Sequence, residues 1–209
     1  VCGHCPHRGQ LIHNISGEIK NTKRSCYVLE FNAPQSIYAS VKRGNIPSAQ
    51  DIARDLGLPV SEVIADIGSG ELVRMGAYGD PAAVPAHVWR ALLSQSLGFT
   101  GYTHQWRELE TTRGPSAASF FRAHLMASAD SAKAAQAAHA LGWRTFRVKT
   151  RDDLKLKNEA SCPASAESGH KLTCSTCLAC GGGRKRGSIV INAHGSTSRA
   201  RYAAENVAA

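Results

Sequence analysis

Residues 123–149 read AHLMASADSAKAAQAAHALGWRTFRVK, and this stretch alternates between the residue patterns of strand and helix. The predicted elements are a strand over Ala123 to Ala129, a helix over 132–141 that Asp130 or Ser131 caps, and a strand over Trp143 to Lys149. A strand, a helix and a strand in succession predict two parallel strands joined by a right-handed crossover. The stretch therefore predicts an α/β fold.

The same alternation continues on both sides of this stretch, over residues 71–194. Further strands are predicted over Leu72 to Tyr78, Gly101 to Trp106, Ala160 to Ala164 and Ser188 to Asn192, and a further helix over Val84 to Leu97. No glycine-rich dinucleotide-binding or P-loop sequence follows any of these strands. We therefore predict an α/β chain that forms a partial or irregular parallel β/α barrel, with cysteine-rich metal-binding segments at both ends.

The chain length suits a single domain spanning 1–209, because 209 residues are enough for one hydrophobic core. The expected parts are an N-terminal cysteine segment over 1–33, a helical segment over 34–70, and an α/β core over 71–194 with a metal-binding loop over 159–187. No run of eighteen apolar residues occurs, so we expect no membrane span. Because Val1 is not an initiator residue, we expect the native N-terminus to be missing or removed. The sequence leaves the oligomeric state open.

Four cysteines near the C-terminal end carry the strongest chemical signal. Their spacing is Cys162-x11-Cys174-x2-Cys177-x2-Cys180. Four thiolates suit either a tetrahedral zinc ion or a [4Fe–4S] cluster, since both take four soft anionic ligands. The tight C-x-x-C-x-x-C run favours the iron–sulfur cluster. In the zinc alternative, His194 could replace Cys162 as the fourth ligand.

Three more cysteines form a second group at the other end of the chain, spaced Cys2-x2-Cys5-x20-Cys26. Three thiolates are one ligand short of a closed site. Either His4 or His7 completes a zinc site, or a cluster keeps one iron open for a further ligand. Close C-x-x-C spacings in a chain of this size indicate metal ligands in a reducing compartment, which predicts a cytoplasmic protein.

Polar residues end most of the predicted strands, and in a parallel barrel these ends meet at one rim, where active sites lie. The rim residues are Tyr78, Asp80, His104, Gln105, Ser128, Asp130, Arg147, Lys149, Asn192 and His194. Taken singly, Asp130 also suits a helix cap and His104 a core histidine. As a set they predict a pocket, and we expect its catalytic residues to be Tyr78, Asp80, His104 and Asp130.

The formal net charge of +9 favours polyanionic partners such as nucleic acid. Part of this charge lies in the run from Arg184 to Arg186. The alternative is an ordinary solvated surface. Two predicted helices, Ser48 to Leu56 and Ser61 to Ile67, each begin at a serine N-cap and flank a glycine turn, so they resemble a helix-turn-helix.

Several motifs resemble an uncharacterised family of phage, plasmid and bacterial proteins of unknown function. These motifs are CGHCPHRG, SCYV, GAYGDPAAVP, GYTHQW, LMASADS, GWRTFRV, SCPAS, TCxxCxxC and AHG, and they extend over almost the whole chain. The resemblance implies no established activity. It implies that the two cysteine groups belong together in one protein.

A more distant resemblance is to radical SAM enzymes, which build a partial α/β barrel around a three-cysteine cluster. It is carried by Tyr27 beside Cys26, by the barrel-like strands and by the second cysteine group at the C-terminal end. Radical SAM enzymes usually space their cysteines C-x3-C-x2-C. The spacing in this chain differs and is more similar to that of the carbon–phosphorus lyase.

The radical SAM resemblance implies two clusters and a cofactor site. Cys2, Cys5 and Cys26 would hold a [4Fe–4S] cluster whose open iron binds S-adenosylmethionine. The C-terminal cysteines would hold an auxiliary cluster. The segment from Gly76 through Gly79 to Asp80 would contact the methionine part of S-adenosylmethionine.

Two functions follow as expectations. The first is a cytoplasmic iron–sulfur enzyme of radical SAM type that acts on a nucleic acid or a nucleotide. The second is a zinc-stabilised DNA- or RNA-binding accessory protein of a mobile element. In the second, the 48–67 hairpin and the run from Arg184 to Arg186 would contact the nucleic acid.

Overall fold

The computed structural model of the chain describes residues 7, 10–13, 19–22, 33–183 and 186–193. It shows an α/β fold with a six-stranded sheet and a separate two-stranded antiparallel hairpin of β1 (Gln10–His13) and β2 (Ile19–Thr22). Several residues singled out in the sequence lie outside the described residues, namely Cys2, His4, Cys5, Cys26, Tyr27, Arg184, Lys185 and His194.

The six-stranded sheet is parallel throughout. Its strands are β3 (Leu72–Met75), β4 (Gly98–Thr103), β5 (Met126–Ala129), β6 (Thr145–Lys149), β7 (Glu159–Ser161) and β8 (Ser188–Asn192). They lie in the order β3-β4-β5-β6-β8-β7, so β8, the last of the described strands, is inserted between β6 and β7. The sheet is open, because β3 and β7 are its two edges.

Eight α-helices lie in the described part of the chain. They are α1 (Ala33–Lys42), α2 (Ala49–Leu56), α3 (Val60–Gly68), α4 (Ala86–Leu93), α5 (Leu109–Arg113), α6 (Pro115–His124), α7 (Ala132–Ala140) and α8 (Cys174–Cys177). None of the described helices combines the length and the apolar character that crossing a bilayer requires.

The two faces of the sheet are covered differently. Side chains alternate between the faces along each strand. On one face, Met75, Phe99 and Ala127 pack in a core with α4, α6 and α7, to which α6 contributes Phe120 and Phe121. On the other face, the core consists of Met126, Phe146, Ala164, Cys162, Cys177, Ala179, Cys180, Ile189 and Ile191. The helices between β3 and β6 therefore cover one face, and the C-terminal cysteine segment covers the other.

The structure confirms most predicted elements and corrects several boundaries. The predicted helix over 132–141 is α7, with Ser131 as its N-cap, and the predicted last strand is β8. The predicted strand over Ala123 to Ala129 began too early, because α6 continues to His124. Neither α5 nor α6 was predicted. Buried Phe120 and Phe121 stabilise α6 against the sheet, whereas residues 109–124 lack a clear helical repeat.

Gly98 and the serines of the helical segment show how local signals can mislead. The predicted helix over Val84 to Leu97 was too long, because α4 ends at Leu93 and Gly98, which resembles a helix stop, begins β4. Ser48 caps α2 as predicted, in a capping box with Asp51. Ser61 does not cap α3, because that helix begins at Val60 after Pro59. The helical hairpin itself is confirmed.

Candidate functional site

The carboxyl ends of β3, β4 and β5 lie side by side and bring predicted rim residues together. β3 leads into a tight turn in which Gly76 (φ 73°) and Gly79 (φ 135°) adopt backbone conformations that favour glycine. A Cβ atom at Gly76 would also collide with the ring of Pro81. Tyr78 lies on this turn with 56% of its surface exposed. The turn delivers Asp80 to the end of β4.

Asp80 is buried, and its carboxylate links this turn to the neighbouring strand. Its Oδ1 accepts hydrogen bonds from the Thr103 hydroxyl (2.7 Å) and the Ala82 N–H (3.0 Å), and its Oδ2 accepts one from the His104 N–H (2.8 Å). Hydrogen bonds to an ionised carboxylate are stronger than those between neutral groups. Asp80 therefore fixes the backbone of His104, and in this way it sets the position of the His104 side chain at the rim.

Three side chains from three separate segments meet at the rim. They are His7, His104 after β4, and Asp130 after β5. Asp130 Oδ1 lies 3.2 Å from His7 Nε2, and Asp130 Oδ2 lies 3.6 Å from His104 Nε2. The two imidazole rings meet edge to face with centroids 4.8 Å apart. All three side chains are partly exposed, at 20%, 20% and 24%. We call these residues the rim triad.

The rim triad keeps its carboxylate charged. Burial would raise the pKa of Asp130, but hydrogen bonds and positive charge from His104 and His7 outweigh this effect and hold the pKa well below its ordinary value. Asp130 was predicted as a catalytic residue or a helix cap. The N-cap of α7 is Ser131, so the Asp130 carboxylate is directed to the histidines instead.

The four C-terminal cysteines also converge. Cys162 follows β7 and lies in the same apolar cluster as Cys177 and Cys180. Cys174 and Cys177 are the first and last residues of α8, one helical turn apart and therefore on the same side of it. Thr173 caps this short helix in a capping box with Thr176.

The pKa values of the thiols show how closely these cysteines lie. Burial and the negative charges of Cys162, Cys174 and Cys177 together raise the pKa of Cys180 to about 12, whereas the charge of Arg144 opposes this shift. Burial, together with Cys174 and Cys177, also raises the pKa of Cys162. Four thiolates this close repel one another strongly, so a cationic centre between them would stabilise the deprotonated state.

Arg144 anchors the cysteine segment, a role that no sequence pattern indicated. Its guanidinium donates hydrogen bonds to four backbone carbonyls, those of Ala179 (3.1 Å), Gly181 (3.2 Å), Gly182 (2.8 Å) and Gly187 (2.7 Å). The Arg144 guanidinium thus binds backbone on both sides of the run from Gly181 to Gly183. A basic residue before a strand is too common a pattern to reveal such contacts.

Close backbone contacts hold the same segment against the sheet. Gly182 has no room for a Cβ atom beside the Ala123 carbonyl, which accepts a hydrogen bond from the Gly183 N–H (2.8 Å). Leu178 has a left-handed backbone (φ 48°), which costs about 1 kcal/mol or more for a residue other than glycine. Its side chain fills the space that Gly98 leaves open. The segment is therefore firmly positioned.

The other predicted rim residues have different roles. Arg147 and Lys149 are buried on the helix-covered face, where Arg147 pairs with Glu159, and Lys149 donates to the Thr150 carbonyl (2.7 Å). Ser128 contributes its backbone carbonyl, which accepts a hydrogen bond from the Trp106 indole (2.9 Å). These residues support the sheet and do not join the rim triad.

A surface cleft with a volume of about 440 Å³ is lined by residues of α5, α6 and α7 and of the segments beside them, including Trp106, Arg122 and Trp143. None of its lining residues belongs to the rim triad or to the cysteine group. We place the candidate chemistry at the rim and the cysteines, where the potential metal ligands converge.

The helical hairpin has the wrong charge for binding a phosphate backbone. Residues 48–67 contain four acidic residues and one basic residue, Arg54, giving a net charge of −3. Arg54 is itself paired with Asp51 (2.7 Å). Arg186 is exposed, and the remainder of its basic run lies outside the described residues. Any attraction for a polyanion must therefore come from elsewhere than the hairpin.

Comparison with known proteins identifies no relative of this chain. No protein-family model, curated protein or solved structure matches it. The resemblances to a phage and plasmid family and to radical SAM enzymes therefore stay predictions. Function must be inferred from two arrangements in the fold, the rim triad and the converging cysteines.

Proposed function

We propose that the protein is an iron–sulfur enzyme of the radical SAM-like type, built on a partial β/α barrel. The observation that carries the proposal is the convergence of Cys162, Cys174, Cys177 and Cys180 on the face of the parallel sheet opposite to α4, α6 and α7. These four cysteines would hold the auxiliary cluster.

The arrangement of layers supports a partial barrel. In a β/α barrel the helices surround the outside, and the opposite face of the sheet lines the interior. Here α4, α6 and α7 share one face, and strands β3 to β6 follow one another in chain order. The inserted β8 interrupts that order at the far edge. The face bearing the cysteine segment then corresponds to the concave side.

Aromatic side chains lie on the same face of the sheet as the cysteine segment. Tyr102 of β4 stacks on Phe146 of β6 with ring centroids 4.4 Å apart, and Arg74 of β3 lies over the Tyr102 ring at 5.9 Å. These groups contact one another, so the nucleotide or nucleic-acid substrate is proposed from the net charge of +9.

The second cluster would use Cys2, Cys5 and Cys26. His7 lies at the rim only two residues after Cys5 in the sequence, so a cluster on the N-terminal cysteines would lie near the carboxyl ends of the strands. Three thiolates leave one iron open, and that iron would bind the amino and carboxylate groups of S-adenosylmethionine. The Gly76–Gly79 turn, followed by Asp80, borders the same rim and would contact the methionine part.

A zinc-stabilised nucleic-acid-binding protein is the weaker alternative. The acidic character of residues 48–67 counts against recognition of nucleic acid by the hairpin. The tight C-x-x-C-x-x-C run favours a cluster over zinc at the C-terminal cysteines. The alternative is supported by the net charge of +9 alone.

Electron paramagnetic resonance of the reduced protein tests the proposal. Addition of S-adenosylmethionine to anaerobically purified, reduced wild type should perturb the spectrum of one cluster. Cys26→Ala should abolish that response and keep the C-terminal cluster signal, whereas the neighbouring Ser25→Ala should respond like wild type. An unchanged wild-type spectrum, or release of zinc from His4→Ala as readily as from Cys26→Ala, would refute it.

A further inference from the structure

We propose that the rim triad of His7, His104 and Asp130 binds a divalent transition-metal ion, separate from any metal held by the cysteines. Two histidines and one carboxylate form the ligand set of mononuclear iron(II) sites that keep open positions for substrate. The inference uses none of the cysteines and does not depend on the radical SAM proposal.

The ligand atoms of the triad lie close to the spacing that one metal ion imposes. A metal with ligand bonds of about 2.1 Å holds neighbouring ligand atoms roughly 3.0–3.4 Å apart. The observed separations from Asp130 are 3.2 Å from Oδ1 to His7 Nε2 and 3.6 Å from Oδ2 to His104 Nε2, and all three ligand atoms lie within 4.8 Å of one another. Small side-chain movements would therefore bring them onto one ion.

The supporting structure holds the ligands rigidly. Asp80 fixes the His104 backbone through its 2.8 Å hydrogen bond, and buried Thr103 connects both residues. Asp130 is fixed between β5 and the Ser131 cap of α7. Such outer contacts orient metal ligands and contribute strongly to metal affinity.

The open side of the triad indicates what the site would do. Each triad side chain keeps about a fifth of its surface exposed, so a bound ion would face solvent on one side. Three protein ligands leave further coordination positions for water or an oxygen-bearing substrate. The site would thus bind a chelating anion, such as a phosphate or a carboxylate, through the metal.

Titration with Mn(II) tests the site, because Mn(II) favours oxygen and nitrogen ligands over thiolates. The electron paramagnetic resonance signal of free Mn(II) should report about one bound ion per wild-type chain. We expect the Kd for Mn(II) to rise at least tenfold in each of His104→Ala, Asp130→Asn and His7→Ala, because the loss of a residue that merely orients a metal ligand already weakens metal binding by about this much. The exposed controls His87→Ala and Asp66→Asn should bind like wild type.

Circular dichroism identifies any variant that does not fold, and only the folded variants are then compared with wild type for Mn(II) binding. Absence of Mn(II) and Zn(II) binding by folded wild type would overturn the inference. Unchanged Mn(II) affinity in folded triad variants would do the same. Loss of Mn(II) binding in Cys5→Ser, to the extent seen in His104→Ala, would also overturn it, because the ion would then belong to the cysteine group.

Discussion

The guanidinium of Arg147 and the carboxylate of Glu159 form a two-point ion pair that reaches across an intervening strand. Arg147 Nε and Nη2 each lie 2.7 Å from a Glu159 oxygen, and both side chains are fully buried. Arg147 belongs to β6 and Glu159 to β7, whereas β8 lies between them. The pair therefore links the two strands that flank β8 and favours its insertion between them.

Removing one partner of this pair should destabilise the fold strongly. Glu159→Gln leaves the buried Arg147 charge without its counterion, and breaking such a pair costs about 3–5 kcal/mol. Urea unfolding should show this loss in the free energy of unfolding, and the exposed control Asp152→Asn should leave it unchanged. An effect of Glu159→Gln as small as that of the control would show that the pair does not hold the strand order.

The same pair should make stability depend on pH in the acid range. Burial would raise the pKa of Glu159, but hydrogen bonds from Arg147 and the Leu156 N–H lower it below its ordinary value. A carboxyl whose pKa is lower in the folded state stabilises the fold above its unfolded pKa of about 4.3 and loses this contribution as the pH falls. Wild type should therefore lose stability below about pH 4.

The matched variant isolates the contribution of Glu159 to this pH dependence. Thermal unfolding of Glu159→Gln should depend less steeply on pH between about 3 and 5 than that of wild type, because the group that titrates is gone. Asp130, with a pKa shifted in the same direction, would account for part of the remaining slope. Parallel pH profiles for the two proteins would contradict the assignment.

Replacement of Arg144 should loosen the cysteine segment. Arg144→Lys keeps the charge but cannot reach four carbonyls at once, and each hydrogen bond to a charged group contributes about 1.5–3 kcal/mol. We expect a lower melting temperature and reduced retention of metal by the C-terminal cysteines. The exposed Arg151→Lys serves as control. Full metal content and wild-type melting in Arg144→Lys would show that the contacts to the carbonyls are dispensable.

The basic run from Arg184 to Arg186 should affect binding to polyanions through its charge. Replacing all three residues with glutamine should flatten the slope of log affinity against log salt, since fewer counterions are released on binding. Replacing Arg54, which is paired with Asp51 on the acidic hairpin, should leave the slope unchanged. Fluorescence anisotropy with a single-stranded oligonucleotide measures both. An unaltered slope for the triple variant would show that this run is an ordinary solvated surface.

The sequence predicted the fold wherever local pattern and tertiary packing agree. The helix over 132–141 combines a serine cap with an alanine-rich face, and β8 is a short β-branched run, so both were placed correctly. Helix α6 was missed because its aromatic residues gain their stability from the sheet beneath them. The order of β7 and β8 depends on a contact between Arg147 and Glu159, which no local pattern reveals.

Part of the candidate site could also be predicted from the sequence. Residues at the ends of parallel strands must share an edge, so His104 and Asp130 could be grouped in advance. His7 could be named only as an alternative zinc ligand, because its contact with Asp130, 123 residues away in the chain, follows from no local pattern. Arg144 was missed because backbone carbonyls, its partners, leave no trace in the sequence.

Iron, acid-labile sulfide and zinc analysis of anaerobically purified protein tests the central claim most directly. We predict iron and sulfide in equal amounts, roughly four of each per cluster, with little zinc. Cys177→Ser should lose about four irons and their sulfides together with stability, because metal binding is coupled to folding here, whereas Ser175→Ala on the same helical turn should keep them. One zinc ion bound to the C-terminal cysteines, with no sulfide, would contradict the claim.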